Sequence, residues 1–211
     1  MSIRVTKGNC NTKALWDTFY TSEAQLGHER LFGSRLEQVV RWLKVRSTEL
    51  PAEAQLSFLD IGCGLGDLAK RVRVEVPTAV PAGIDISPVA VAYAKNAFPN
   101  GTFEVADAAR LPFGQGRFDF VWCGETLEHV DDSEAVVKEI SRVVKPGGMV
   151  VLSTPYKNTI GGPEHVWSHS TEDMLRWHAT LGGELIFLHY NVIDDLISQM
   201  MMMVVRVPKP A

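Results

Sequence analysis

Phe58-Leu59-Asp60-Ile61-Gly62-Cys63-Gly64-Leu65-Gly66-Asp67 is the stretch on which the reading of this chain turns. Leu56 to Ile61 is a short apolar run of the kind that forms a buried strand, and it ends in glycines. Leu68 to Val76 then takes up helical spacing until Pro77 stops it. Glycine allows positive φ and lets a ligand approach the backbone with no Cβ in the way. The helix that follows aims unpaired N–H groups at whatever sits there. A plain tight turn would use the same residues, but the spacing narrows the ligand. A dinucleotide fingerprint is GxGxxG, whereas Gly62, Gly64 and Gly66 put the third glycine one residue early for a pyrophosphate cradle.

Working outward, strands and helices alternate. Val80 to Ile86 reads as a second strand and Val89 to Phe98 as a helix, then Thr102 to Ala106 and Phe118 to Cys123 as strands. Ser133 to Val144 is helical, Lys145-Pro146-Gly147-Gly148 ends it, and Met149 to Ser153 is a fifth strand. Glu172 to Leu181 is helical with Gly182-Gly183 as its stop, and Glu184 to Tyr190 and Met200 to Val207 are strands. Upstream, Leu15 to about Arg46 is helical, and the first ten or so residues read as frayed. This alternation implies an α/β fold with a mainly parallel sheet covered on both faces. The last two strands are too closely spaced for a crossover helix, so they pair antiparallel at or near one edge. Ligands on such sheets bind at the carboxyl ends of the strands.

The chain's 211 residues fit one domain, and 45% hydrophobic with 22% charged residues is ordinary globular composition. A net charge of −4 gives no electrostatic reason to expect a bare phosphate backbone as partner, so nucleic acid is not favoured. The three cysteines, Cys10, Cys63 and Cys123, lack zinc-type spacing and read as free thiols in a reducing compartment. Met1 to Thr12 has no apolar core of signal-peptide length, and Met200 to Val205 is far too short to span a bilayer. The expectation is a soluble cytoplasmic protein with no membrane partner; nothing in the sequence sets an oligomeric state.

Asp85, at the end of the second strand in Gly83-Ile84-Asp85-Ile86-Ser87, lies roughly twenty residues past the glycines. A carboxylate there accepts both hydroxyls of a ribose. Asp107, in Val105-Ala106-Asp107-Ala108-Ala109-Arg110-Leu111-Pro112-Phe113, either caps its own loop or accepts from an adenine amine, with Ile86 and Ala108 flanking the ring.

Taken in order, the glycine stretch, Gly83 to Ser87, Asp107 with Leu111-Pro112-Phe113, Phe118-Asp119-Phe120-Val121-Trp122 and Val143-Val144-Lys145-Pro146-Gly147-Gly148 resemble the motifs of class I methyltransferases. The resemblance runs from Phe58 to about Pro155. It implies a Rossmann-like, doubly wound, seven-stranded sheet with the last strand antiparallel. It also implies S-adenosylmethionine as methyl donor, with Asp60, Gly62, Gly64 and Gly66 beside its methionine part, Asp85 at the ribose and Asp107 near the adenine. On this reading residues 1–50 form a helical cap over the cofactor and 51–211 the methyltransferase core, one domain in all. Trp16 and Tyr20 in the cap either cover the donor or simply pack an amphipathic helix.

The acceptor side follows the fourth strand, in Gly124-Glu125-Thr126-Leu127-Glu128-His129-Val130. Glu125 and Glu128 either open a helix, with His129 packed in the wall, or Glu125 or His129 acts as general base. In a third reading Glu125, Glu128 and His129, on one face of a helical turn, hold an ion together with His165. The last pattern is similar to that of metal-dependent 2′-O-methyltransferases of small RNA 3′ ends and to an ExxEH arrangement in ubiquinone-pathway O-methyltransferases. Two carboxylates and two imidazoles suit Mn, Fe, Co or Zn better than Mg. His169 falls where the RNA enzymes carry an aromatic residue. The loop from Tyr156 to Ser170 is expected to wall the acceptor pocket. The implied function is methyl transfer to an oxygen or nitrogen of a small molecule. Its alternatives are a metal-dependent RNA 2′-O-methyltransferase and a non-catalytic S-adenosylmethionine-binding module.

Overall fold

The computed structural model of the chain describes residues 2–5, 11–26, 29–156, 165–193 and 198–209. Its elements run β1 (Ile3–Arg4), α1 (Lys13–Leu26), α2 (Glu29–Thr48), β2 (Leu56–Ile61), α3 (Asp67–Glu75), β3 (Ala79–Asp85), α4 (Pro88–Ala97), β4 (Thr102–Val105), β5 (Phe118–Gly124), α5 (Ser133–Val143), β6 (Val144–Pro155), β7 (Trp167–Ser168), α6 (Thr171–Leu181), β8 (Glu184–Ile193) and β9 (Ser198–Arg206). A seven-stranded sheet has the order β4-β3-β2-β5-β6-β9-β8. The five strands from β4 to β6 are parallel, and β9 pairs antiparallel with both β6 and β8. The final strand thus lies inside the sheet, with β8 as its edge. The order reverses beside β2, which opens a crevice at the carboxyl ends of β2 and β5.

Both faces are covered, which is why the central strands are apolar at nearly every position. Leu59, Ile61, Val121, Cys123, Val150 and Leu152 pack on one side against Val136 and Ile140 of α5 and Trp177 of α6. Their alternating neighbours Phe58, Phe120, Trp122 and Val151 pack on the other against Val39 and Leu43 of α2 and Leu68 and Val72 of α3. Helix α1 lies outside both cores. Its Trp16 and Tyr20 pack with Leu65 and Ala90 above the glycine turn. Asp17 fixes it there, accepting from the Ser87 hydroxyl and from Val89 N at the start of α4.

The helical span expected from Leu15 to about Arg46 corresponds to α1 and α2, with residues 27–28 outside the described set. Two local expectations need correction. The amino terminus is not frayed at its first residues, because β1 pairs antiparallel with β7, Ile3 opposite Ser168 and Arg4 opposite Trp167. Two residues are too few to show a sequence period, so only the fold reveals this ribbon. The helix does end just before Lys145-Pro146-Gly147-Gly148, but this run belongs to β6, which starts at Val144 rather than Met149, and the register with β5 jumps there from Phe118–Val144 to Phe120–Met149. Cys10 lies outside the described residues. Among the described residues no helix is long and apolar enough to cross a membrane.

Candidate active site

The glycine turn leaves β2 with Gly62, Gly64 and Gly66 all at positive φ (74°, 50° and 80°). Only glycine adopts these values without strain. Gly66 ends the turn as the residue preceding α3. At Gly62 space forbids a side chain as well: a Cβ would stand 2.2 Å from Thr126 Oγ1, and Thr126 is tied to the carbonyls of Ile61 and Gly124 at 3.1 Å each. The turn is thereby locked to the segment that follows β5.

Asp60 and Asp85 end neighbouring strands and are both buried. Asp85 is held from two sides. Its Oδ1 accepts from Ser87 N at 2.9 Å, and its Oδ2 accepts from Gly64 N at 3.0 Å and from the Tyr20 hydroxyl at 3.3 Å. Burial raises its carboxyl above the ordinary range against the pull of those donors. Asp60 has no such compensation among the described residues. Burial, with Asp85 and Asp67 nearby, pushes its carboxyl up to about 8. Burial and the Asp85 carboxylate push the Tyr20 phenol well above its usual value. Two buried carboxyl groups at adjoining strand ends favour a cationic ligand.

Ile86 is partly buried and packs with Trp16 and Tyr20, whereas Ala108 is buried in the core beneath α5. Asp107 is exposed and accepts from Ala109 N at 2.9 Å, the loop-capping contact that the sequence allowed.

Beyond β5, Glu125 has φ 52°, the one non-glycine residue at positive φ among those described. Its carboxylate accepts from the Ser153 hydroxyl at 3.2 Å, and its amide donates to Ser153 O. Thr126 to His129 forms a turn closed by His129 N on Thr126 O at 3.0 Å, and α5 begins only at Ser133. The expected helical turn with three ligands on one face is therefore absent. The ligand atoms of Glu128, His129 and His165 come within 4.8 Å of one another, and Glu125 is not in that group. Its left-handed backbone directs it to β6 instead. Glu128 is buried, accepts from Thr154 Oγ1 at 3.2 Å and has Oε1 3.8 Å from His129 Nε2. The rings of Trp16 and His165 each meet that of His129 edge-on at 4.8 Å, so α1 reaches the segment after β5 as well as the glycine turn. Residues 157–164 of the expected acceptor wall lie outside the described residues. Tyr20 as a partner of Asp85 and Thr126 as the brace of Gly62 are contacts that no local pattern announces.

Residues 59–152 match the family model described as a methyltransferase domain. Over 158 residues the chain is 31% identical to tocopherol O-methyltransferase, chloroplastic, of Arabidopsis thaliana, covering 71% of this chain and 45% of that one. Over 154 residues it is 30% identical to norajmaline N-methyltransferase of Rauvolfia serpentina, covering 68% and 52%. The chain thus spans about half the length of the curated relatives it matches. Among solved structures, the N-methyltransferase NodS of Bradyrhizobium japonicum in complex with S-adenosyl-L-homocysteine superposes with a TM-score of 0.69 at 16% identity, covering 92% of this chain and 99% of that one, which shows the shared fold. The chain belongs to the class I S-adenosylmethionine-dependent methyltransferases.

Proposed function

We propose that this chain transfers the methyl group of S-adenosylmethionine to an oxygen or nitrogen of a small molecule. The observation that carries the reading is Asp60, a buried carboxyl with no compensating cation among the described residues, at the foot of a glycine turn built for close backbone approach. In this reading Asp60, Gly62, Gly64 and Gly66 face the donor's amino-acid part, Asp85 takes the ribose hydroxyls, and Asp107 takes the adenine amine between Ile86 and Ala108. Trp16 and Tyr20 close the pocket from above. When bound, the donor supplies a methyl group already activated on a sulfonium. The protein holds the acceptor atom in line with it, a contribution of up to about 7–11 kcal/mol. Glu125 or His129 receives the acceptor's proton. Residues 1–50 serve as the cap and 51–211 as the core of one domain, with α1 as the covering part, since the inner face of α2 packs into the core. The free thiols Cys63 and Cys123 suit a reducing, cytoplasmic setting.

Tritiated methyl transfer from the donor into small-molecule and RNA pools, with calorimetry of S-adenosylhomocysteine, tests this. Label in the small-molecule fraction supports the reading, label in RNA moves it to the nucleic-acid alternative, and binding without transfer leaves a non-catalytic module. No binding at all ends it.

A divalent ion at Glu128, His129 and His165 is a second reading, favoured by their close approach. One carboxylate and two imidazoles fit Mn, Fe, Co or Zn before Mg. Mn²⁺ titration of chelated protein decides it: unchanged transfer and an unaffected His165→Ala variant end the metal reading.

A further inference from the structure

We propose that His169 is a positioning residue for the transfer, holding the Glu125–His129 turn through the carbonyl of Leu127. The proposal rests on the reading of that turn as the acceptor side. His169 is 1% exposed, so it touches no substrate. Its Nε2 lies 3.1 Å from Leu127 O, which also accepts from Ser133 Oγ at 3.0 Å. A carbonyl accepts only from a donor, so the ring carries its proton on Nε2. Nδ1 then accepts from the Ser2 hydroxyl, 3.4 Å away. Burial keeps the imidazole below its ordinary value, which agrees with a neutral ring.

His169 ends a short clamp. Val166 N and Trp167 N both donate to Glu128 O, at 2.7 and 3.0 Å, and Trp167 Nε1 donates to Val130 O at 2.8 Å. Residues 166–169 thus hold the carbonyls of Leu127, Glu128 and Val130. The clamp is itself anchored. His169 bridges to Tyr156 at the end of β6, its ring meets Trp177 of α6 edge-on at 4.8 Å, and Val5 N donates to Val166 O. Such holding has a purpose here, because the turn begins at a strained residue, Glu125. Strained backbone persists only where its surroundings over-determine it. Removing the His169 donor frees the turn to relax, and Glu125 and His129 with it.

The test compares His169→Phe, which keeps the contact with Trp177 but removes the donor, with His169→Gln, whose amide restores a donor near the Nε2 position. Full-length proteins are assayed for S-adenosylhomocysteine affinity and for tritium transfer into a small-molecule extract, with His129→Ala as control. The Phe variant is expected to keep its affinity within about twofold and to lose about tenfold or more in transfer rate, while Gln regains most of it. A Phe variant at the wild-type rate beside an impaired His129→Ala overturns the positioning role alone. Unimpaired transfer in both His129→Ala and a Glu125→Gln variant assayed beside it overturns the acceptor-side reading and the proposal with it. Should the Phe variant not fold, long-range proton–nitrogen spectra of the wild type decide: a proton on Nδ1 of His169 rather than Nε2 overturns the proposal.

Discussion

The Tyr20 hydroxyl donates to Asp85 Oδ2 across 3.3 Å, joining the helix that covers the crevice to the strand end that floors it. The same oxygen accepts from Gly64 N. Under the proposed function a ribose takes over the bond that Tyr20 makes in the free protein, so the two residues respond differently to mutation. Asp85→Ala removes a charged acceptor and is expected to weaken S-adenosylhomocysteine binding about 10- to 100-fold, in line with about 1.5–3 kcal/mol for hydrogen bonds to charged groups. Tyr20→Phe loses only the contact that the ligand replaces, and its dissociation constant is expected within about threefold of wild type. Calorimetry reads both. Equal losses would show that Tyr20 itself contacts the donor.

Under the proposed function Asp60 makes donor binding depend on pH. Its carboxyl sits at about 8 in the free protein, so it is mostly protonated at neutral pH. A sulfonium and an ammonium nearby favour the carboxylate, so binding releases a proton and tightens as pH rises. Between pH 6 and 7.5, below the range of about 7.7–8.0 where an α-amino group titrates, S-adenosylmethionine affinity is expected to climb by up to about tenfold per pH unit. Asp60→Asn is expected to bind more weakly with a flat profile. Stability of the free protein moves the opposite way with pH, because the folded value lies above the unfolded one. The contribution of Asp60 is full below about pH 4 and is lost as pH rises through about 8. Calorimetry in buffers of different ionisation enthalpy counts the proton, and a count of zero between pH 6 and 7.5 would refute the linkage.

The sheet was legible because its strands are buried on both faces and its connections are short, so Leu56–Ile61 and Phe118–Gly124 stand out as apolar runs. The glycine turn was legible for a related reason: Gly62, Gly64, Gly66 and Asp85 follow strand ends at fixed spacing. The conformation of the segment after β5 was not. A left-handed glutamate leaves no mark in sequence, so Glu125, Glu128 and His129 read as one helical face where the chain forms a turn. The β1–β7 ribbon and the Thr126 brace on Gly62 depend on contacts between distant residues, which no local period reports.

Glu125 carries a conformation that glycine adopts freely. Glu125→Gly relieves strain of about 1 kcal/mol and costs a comparable loss in backbone entropy. Stability by urea denaturation is therefore expected within about 0.5 kcal/mol of wild type or better, unlike most glycine substitutions. Methyl transfer is expected to fall, since the carboxylate that Ser153 orients is gone. Glu125→Gly that unfolds the protein by several kcal/mol would contradict the strain argument, whatever its activity.

Gly62 and Thr126 should reveal their contact as a coupling. Gly62→Ala asks an L-residue to hold φ 74° with its Cβ 2.2 Å from Thr126 Oγ1. Thr126 cannot simply turn away, because its hydroxyl serves Ile61 O and Gly124 O. Overpacking of this kind costs about 1–3 kcal/mol, before the backbone strain is added. Thr126→Ala alone gives up the one hydroxyl donor that the two carbonyls share, about 1 kcal/mol. In the double variant the hydroxyl and methyl that clash are gone, and the remaining approach, to Thr126 Cβ, is 3.2 Å. The loss in the double variant should therefore fall short of the sum of the two single losses by about 1 kcal/mol or more, as measured by a double-mutant cycle in denaturant. Strict additivity would mean that the glycine is required for its φ alone. In that case the lock between the donor turn and the segment after β5 does not operate through Thr126.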